Sequence, residues 1–158
     1  MTNTLVVSYS LTGNTRQIAE AIASARDADL EAIEDSFERD TGPGRFRSAA
    51  EGLLGLRSSI TPPKRYVSEY DLVVVGTPIW AARLSSPVRS YLNQQRGSLR
   101  RVAFFCTMGG IGGKWAFYDM AKICGQRPMA RLIIREKQLN TSVAEDKIAR
   151  FISELGTV

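Results

Sequence analysis

The chain contains no histidine. That absence removes Ser-His-Asp triads, Cys-His pairs, histidine general bases and His-ligated metals. Cysteine is nearly absent too, with only Cys106 and Cys124. Two cysteines without CxxC spacing or histidine cannot assemble a zinc ligand set. Both lie in apolar surroundings, which reads as a pair of buried free thiols suited to a reducing compartment. No apolar run approaches the roughly 20 residues needed to cross a bilayer. Residues 1–5 enter a strand-like run without a basic leader or cleavage site, so the expectation is a cytoplasmic protein with no membrane partner. What remains is an ordinary globular composition, 44% hydrophobic and 23% charged over 158 residues. That length suits a single domain spanning 1–158.

The charge is unusual. Lys and Arg number 21 against 16 Asp and Glu, for a net +5. It is also uneven. Residues 1–60 carry six basic and nine acidic side chains, while residues 61–158 carry fifteen and seven. Between 83 and 135 there are ten basic residues and one acid, Asp119. Such a face attracts an anionic ligand or an acidic partner, or is simply a solvated surface. Nucleic acid is not expected, because the best basic cluster, Arg96-Gly-Ser-Leu-Arg-Arg101, lacks an aromatic platform.

Strand-like and helix-like segments alternate. Leu5–Tyr9, Leu30–Ile33, Leu72–Gly76, Val102–Cys106 and Ala130–Arg135 read as strands, and Gly76 reads as the end of its own. Asn14–Arg26, Ser86–Arg96, the Phe117-Met120-Ala121-Cys124 stripe and the Ile148-Phe151-Ile152-Leu155 stripe read as helices. Ser142 and Glu145 offer a capping box for the last. Residues 36–65 read as two long connections around an amphipathic helix containing Phe46, Ala49, Ala50, Leu53 and Leu54, ended by Thr61-Pro-Pro63. Continuous apolar strands separated by helices predict an α/β fold, a three-layer, doubly wound, five-stranded parallel sheet.

Three strand-to-helix loops carry the chemistry. Ser10-Leu-Thr-Gly-Asn-Thr15 offers short hydroxyl and amide side chains, one glycine and a helix N-terminus, which together suit a phosphate. The bland alternative is a capped turn. There is no Gly-Lys-Ser/Thr and no GxGxxG, so neither an ATP-type P-loop nor the usual dinucleotide fingerprint is present. Gly76-Thr-Pro-Ile-Trp-Ala-Ala-Arg83 places Trp80 where open α/β sheets bind ligands, and a planar heterocycle could lie against it. Thr107-Met-Gly-Gly-Ile-Gly-Gly113 has more glycine than a turn needs, which lets backbone groups approach a flat ring.

Taken together these loops resemble the flavodoxin family over essentially the whole chain. The first looks like the family's FMN-phosphate loop; the second and third look like its two flavin-flanking loops. The resemblance implies strand order 2-1-3-4-5 and noncovalent FMN. It implies that Ser10, Thr12, Asn14 and Thr15 hold the phosphate with side chains, and Leu11 and Gly13 with backbone. Thr77, Pro78, Ile79, Trp80 and Ala81 would flank the ring, and Thr107, Met108, Gly109 and Gly110 would line its far edge. No acid–base residue of the protein's own is then needed, because the flavin does the electron chemistry.

Two departures bear on function. The third loop has Met108 and Ile111 where many flavodoxins stack an aromatic. The family's electron shuttles are strongly acidic, whereas this chain is +5. The charge fits a reductase linked to NAD(P)H or a quinone better than a simple shuttle, with Arg83, Arg89 or Lys114 meeting an anionic substrate. A redox-protein partner is also open to such an oxidoreductase; the alternative is a non-catalytic flavodoxin-like binding or regulatory module with weak or no flavin binding.

Overall fold

The computed structural model describes residues 2–36 and 59–156. The amphipathic segment expected at Phe46–Leu54 lies outside them. Six strands are described: β1 Thr4–Ser8, β2 Asp29–Ala32, β3 Leu72–Trp80, β4 Arg83–Leu84, β5 Val102–Met108 and β6 Arg131–Arg135. The helices are α1 Asn14–Arg26, α2 Ser86–Gln95, α3 Gly113–Cys124 and α4 Ser142–Glu154. Five strands form a parallel sheet in the order β2-β1-β3-β5-β6, and β4 pairs antiparallel with the end of β3. The five parallel strands thus follow the expected 2-1-3-4-5 order.

Period-2 geometry divides the strand residues between two cores. Leu5, Val7, Val73, Val75, Phe104 and Cys106 face one layer, where Val88, Tyr91 and Leu92 of α2 and Phe117 and Met120 of α3 cover them. Val6, Leu72, Val74, Ala103 and Phe105 face the other, beneath Ile18 and Ile22 of α1 and Phe151 of α4. Each such side chain contributes about 1.5–3 kcal/mol by leaving water. Both faces are apolar, so the strands read as unbroken hydrophobic runs.

Two strands run further than their sequences suggest. β3 passes straight through Gly76, which is not a strand end. A Cβ at Gly76 would lie 2.0 Å from the ring of Phe105, its register partner on β5. Glycine therefore stands mid-strand to make room for that ring. Pro78 is tolerated two residues later. Alternate β3 residues turn their backbone toward β1, but β1 ends at Ser8 opposite Gly76, so the N–H that proline lacks has no strand to bond. The last helix also differs from expectation. Its N-cap is Thr141 rather than Ser142, with no side-chain cap hydrogen bond, so the capping box does not form.

Candidate functional site

β1, β3 and β5 are neighbours in the sheet, and all three end at the same rim. The chain order reverses between β1 and β3, which is where open α/β sheets form their binding crevice.

The first loop leaves the sheet after Tyr9, whose N–H donates to the Gly76 carbonyl at 3.3 Å. Ser10 and Leu11 are half-buried and Thr12 is exposed. Gly13 is the N-cap of α1, at φ 97°, and its N–H donates to Ser10 Oγ at 3.1 Å. The cap is thus a glycine, and among the described residues no side chain bonds the amides of the first turn. Asn14 and Thr15 lie inside the helix rather than capping it. A helix start without a side-chain cap leaves its first N–H groups for water or a ligand, and the helix field there favours an anion. Thr15 is buried, with Oγ1 2.7 Å from Thr107 Oγ1 on β5. One of these hydroxyls donates and the other keeps its proton for a further acceptor.

The second segment is a β-hairpin rather than an open loop. Thr77, Pro78, Ile79 and Trp80 belong to β3, and Ile79 pairs with Leu84 and Trp80 with Arg83. Ala81 and Ala82 form the two-residue turn, both at positive φ, 48° and 62°. Turns of that hand match strand twist, but asparagine or glycine normally occupies them. Two alanines there cost roughly 1 kcal/mol or more each. The strain is held by neighbours. Thr77 Oγ1 accepts from the Ser85 N–H at 3.0 Å and bonds Ser85 Oγ at 3.1 Å. Thr77 is therefore fully buried and braces the hairpin base instead of facing a ligand. Trp80 meets the edge of Tyr9, with centroids 5.6 Å apart and planes at 89°. That contact fixes the indole plane beside the first loop.

Thr107 and Met108 close β5, both buried, while Gly109, Gly110 and Ile111 are exposed. Arg135 donates to the Gly110 carbonyl at 3.3 Å. A Cβ on Gly109 would lie 3.2 Å from the Glu136 carboxylate. Gly112, at φ 115°, is the N-cap of α3, again without a side-chain cap. A Cβ on Gly112 would lie 2.5 Å from Ala82 backbone, so the glycine loop and the hairpin turn touch main chain to main chain. Gly113 admits Cys106 Sγ at 3.1 Å from the same hypothetical atom.

All fifteen predicted residues thus belong to three adjoining segments. The sequence did not single out Tyr9, Gly112 or Arg135, which position them, and only Gly112 carried a local signal, within its glycine run. Nor did it foresee that Gln17 of α1 would bond Asn140 before α4 at 2.5 Å. Arg83 and Arg89 share one carboxylate, Asp119, at 3.9 and 3.8 Å, so the cluster keeps a net positive charge. Burial pushes the Cys106 thiol up to about 12, so it holds its proton at neutral pH and is no nucleophile. Cys124 is raised for the same reason. Among the described residues no group of three or more His, Cys, Asp or Glu is placed to hold a metal, and no helix is long and apolar enough to cross a membrane.

A family model described as Flavodoxin matches residues 3–155. The chain belongs to the flavodoxin family. Solved structures share the fold at low identity. A flavoprotein from Lactobacillus acidophilus, solved in complex with FMN, is 22% identical with a TM-score of 0.72, covering 93% of this chain and 99% of that one. A flavodoxin, WrbA-like protein from Agrobacterium tumefaciens is 16% identical with a TM-score of 0.58, covering 97% and 96%. In sequence, the chain is 27% identical over 110 residues to an NAD(P)H dehydrogenase (quinone) from Cupriavidus metallidurans. The match takes in 70% of this chain but spans only 55% of that relative's length.

Proposed function

We propose that this protein binds FMN at the rim of β1, β3 and β5 and works as an oxidoreductase linked to NAD(P)H or a quinone. The observation that carries the first half is the start of α1. A glycine cap at positive φ leaves the first-turn amides without a side-chain partner among the described residues, within a loop supplying Ser10, Thr12 and Asn14. This donor set is neutral and rich in N–H and O–H, which suits a terminal phosphate monoester. The residues fit FMN on that count. Leu11 and Gly13 would add backbone contacts, and Thr15, tied to Thr107, would join the phosphate end to the ring end. Trp80, held edge-on by Tyr9, would flank the isoalloxazine, with Pro78, Ile79 and Ala81 completing that wall. Thr107, Met108, Gly109 and Gly110 would line the opposite edge. When bound, FMN supplies the electron acceptance and donation. The chain's own residues bind it, orient it and keep water from one face.

The second half rests on charge and on the name of one relative. A net +5 chain does not suit the acidic docking of an electron shuttle, and the Cupriavidus relative is an NAD(P)H dehydrogenase (quinone). The test is one series. The visible absorbance of the protein as purified, and after incubation with FMN, reports the cofactor. Anaerobic addition of NADH or NADPH, then of a soluble quinone, reports donor and acceptor. No flavin spectrum under either condition would sink the binding claim. Bound FMN that neither nucleotide bleaches would leave a binding module instead.

A further inference from the structure

β6 is the last strand of the sheet, and α3 and α4 cover opposite faces beside it without closing over its edge. Between them runs an open groove of about 1030 Å³. Its floor is apolar, made by Phe117 and Ala121 of α3, Leu132 of β6 and Phe151 of α4. Its rim carries Lys114, Lys122, Arg127, Arg131, Lys147 and Arg150. Glu154 is the only acid among the lining residues. Among the described residues, none of the six cations is paired with a carboxylate. Lys122 instead stands over the exposed Tyr118 ring, 5.4 Å from its centroid.

The strand edge in this groove is partly guarded and partly free. Bonding residues alternate in a parallel pair. Ala130 gives its carbonyl to the Phe104 N–H, so Arg131, Ile133 and Arg135 turn their backbone groups outward. The chain closes two of these itself. Lys147 Nζ donates to the Ile133 carbonyl at 3.1 Å, and the Arg135 N–H donates to Gln138 Oε1 at 3.0 Å. Such plugs blunt an edge against indiscriminate strand pairing. The N–H and C=O of Arg131 and the N–H of Ile133 have no partner among the described residues.

We propose that this groove docks a short acidic, extended segment of a protein partner, which pairs with Arg131 and Ile133 while its carboxylates meet the cationic rim. The choice of occupant follows from complementarity. Unpaired N–H and C=O groups spaced along a strand match a peptide backbone, and main-chain pairing with side-chain pockets is a known mode of peptide capture. A phosphate chain would satisfy the cations but neither the strand edge nor the apolar floor. Single-sign rims also speed encounter and select partners by charge. The groove begins at Lys114, directly after the glycine loop, so an occupant lies beside the flavin-flanking segment. That consequence depends on the proposed FMN site; the docking itself does not.

The test uses a short fluorescein-labelled peptide of alternating glutamate and valine, its glutamine counterpart, and a single-stranded oligonucleotide of similar length. Fluorescence anisotropy is read on the full chain with and without added FMN, so loss of flavin binding and loss of docking are told apart. The glutamate peptide is expected to bind in both states, weakening with salt. Arg131→Glu and Arg150→Glu should each weaken it about tenfold, while Lys64→Glu, far from the groove, should not. Hydrogen exchange should slow at the amides of Arg131 and Ile133 when the peptide is added. Equal binding of the glutamine peptide, unchanged exchange at those amides, or tighter binding of the oligonucleotide to the same residues would each overturn the proposal.

Discussion

The first and second rim segments follow neighbouring strands of one sheet yet solve different problems. After β1 the chain leaves the sheet at once and opens a helix with a glycine cap, so its assets are backbone amides. Past Gly76, β3 stays in the sheet for four more residues and then folds back as a hairpin, so its asset is a rigidly held indole. The first needs conformational freedom and carries no strain. A Cβ at Gly13 would meet nothing within 4 Å. The second stores strain at Ala81 and Ala82 and depends on Gly112, Thr77 and Ser85 to hold it. A donor cradle is built from permissive backbone, a stacking wall from over-determined packing.

The largest effect should come from breaking the wall where it touches its support. Gly112→Ala places a Cβ 2.5 Å from Ala82 at φ 115°. Loss of about 3 kcal/mol is expected in urea unfolding, with a shift in Trp80 fluorescence. A loss below about 1 kcal/mol would mean the hairpin yields freely. Trp80→Ala keeps the cradle and removes the wall. It should weaken FMN binding about tenfold by titration, with little change in the phosphate contribution. Gly13→Ala attacks the cradle itself and meets no clash. It should cost only about 1 kcal/mol of stability, from the left-handed backbone alone. Comparing the two glycine variants in one denaturation series separates crowding from strain. Replacing Ala81 and Ala82 together by Asn and Gly should relieve the turn and raise stability by up to about 1 kcal/mol. No gain would show that the alanines are not strained.

A last effect is absent at neutral pH and appears only in alkali. Cys106 holds its proton in the fold up to about 12 but has an ordinary value of 9.0 when exposed. The unfolded chain therefore releases that proton first, and stability falls as pH rises from about 9 toward 12. Below that window the thiol contributes no pH dependence, and a thiol reagent should leave Cys106 unmodified at neutral pH unless the protein is unfolded.

Much of this was legible in the residues. The five parallel strands showed as apolar runs because both faces of each are covered. The first loop was legible as a strand-to-helix turn with a glycine because such a turn is local: its hydroxyls, glycine and helix start lie within six consecutive residues. The hairpin was not legible. Pro78 argues against a strand, Gly76 argues for a strand's end, and two alanines give no turn signal. Each is overruled by a distant neighbour: the end of β1, the ring of Phe105 and the backbone of Gly112. The edge-on Tyr9–Trp80 contact was equally invisible, since neither residue marks the other in sequence.

Taken by itself, the sequence determined the order of strands and helices, the lack of histidine, and the glycine-bearing polar loop after β1, because period, composition and short motifs are encoded within a few residues. The tertiary structure alone decided the extension of β3, the strained hairpin it bears, the burial of Cys106 and the gathering of scattered cations along the edge of β6. Those depend on which surfaces meet across the sheet, and contacts between residues far apart in the chain leave no mark in its local pattern.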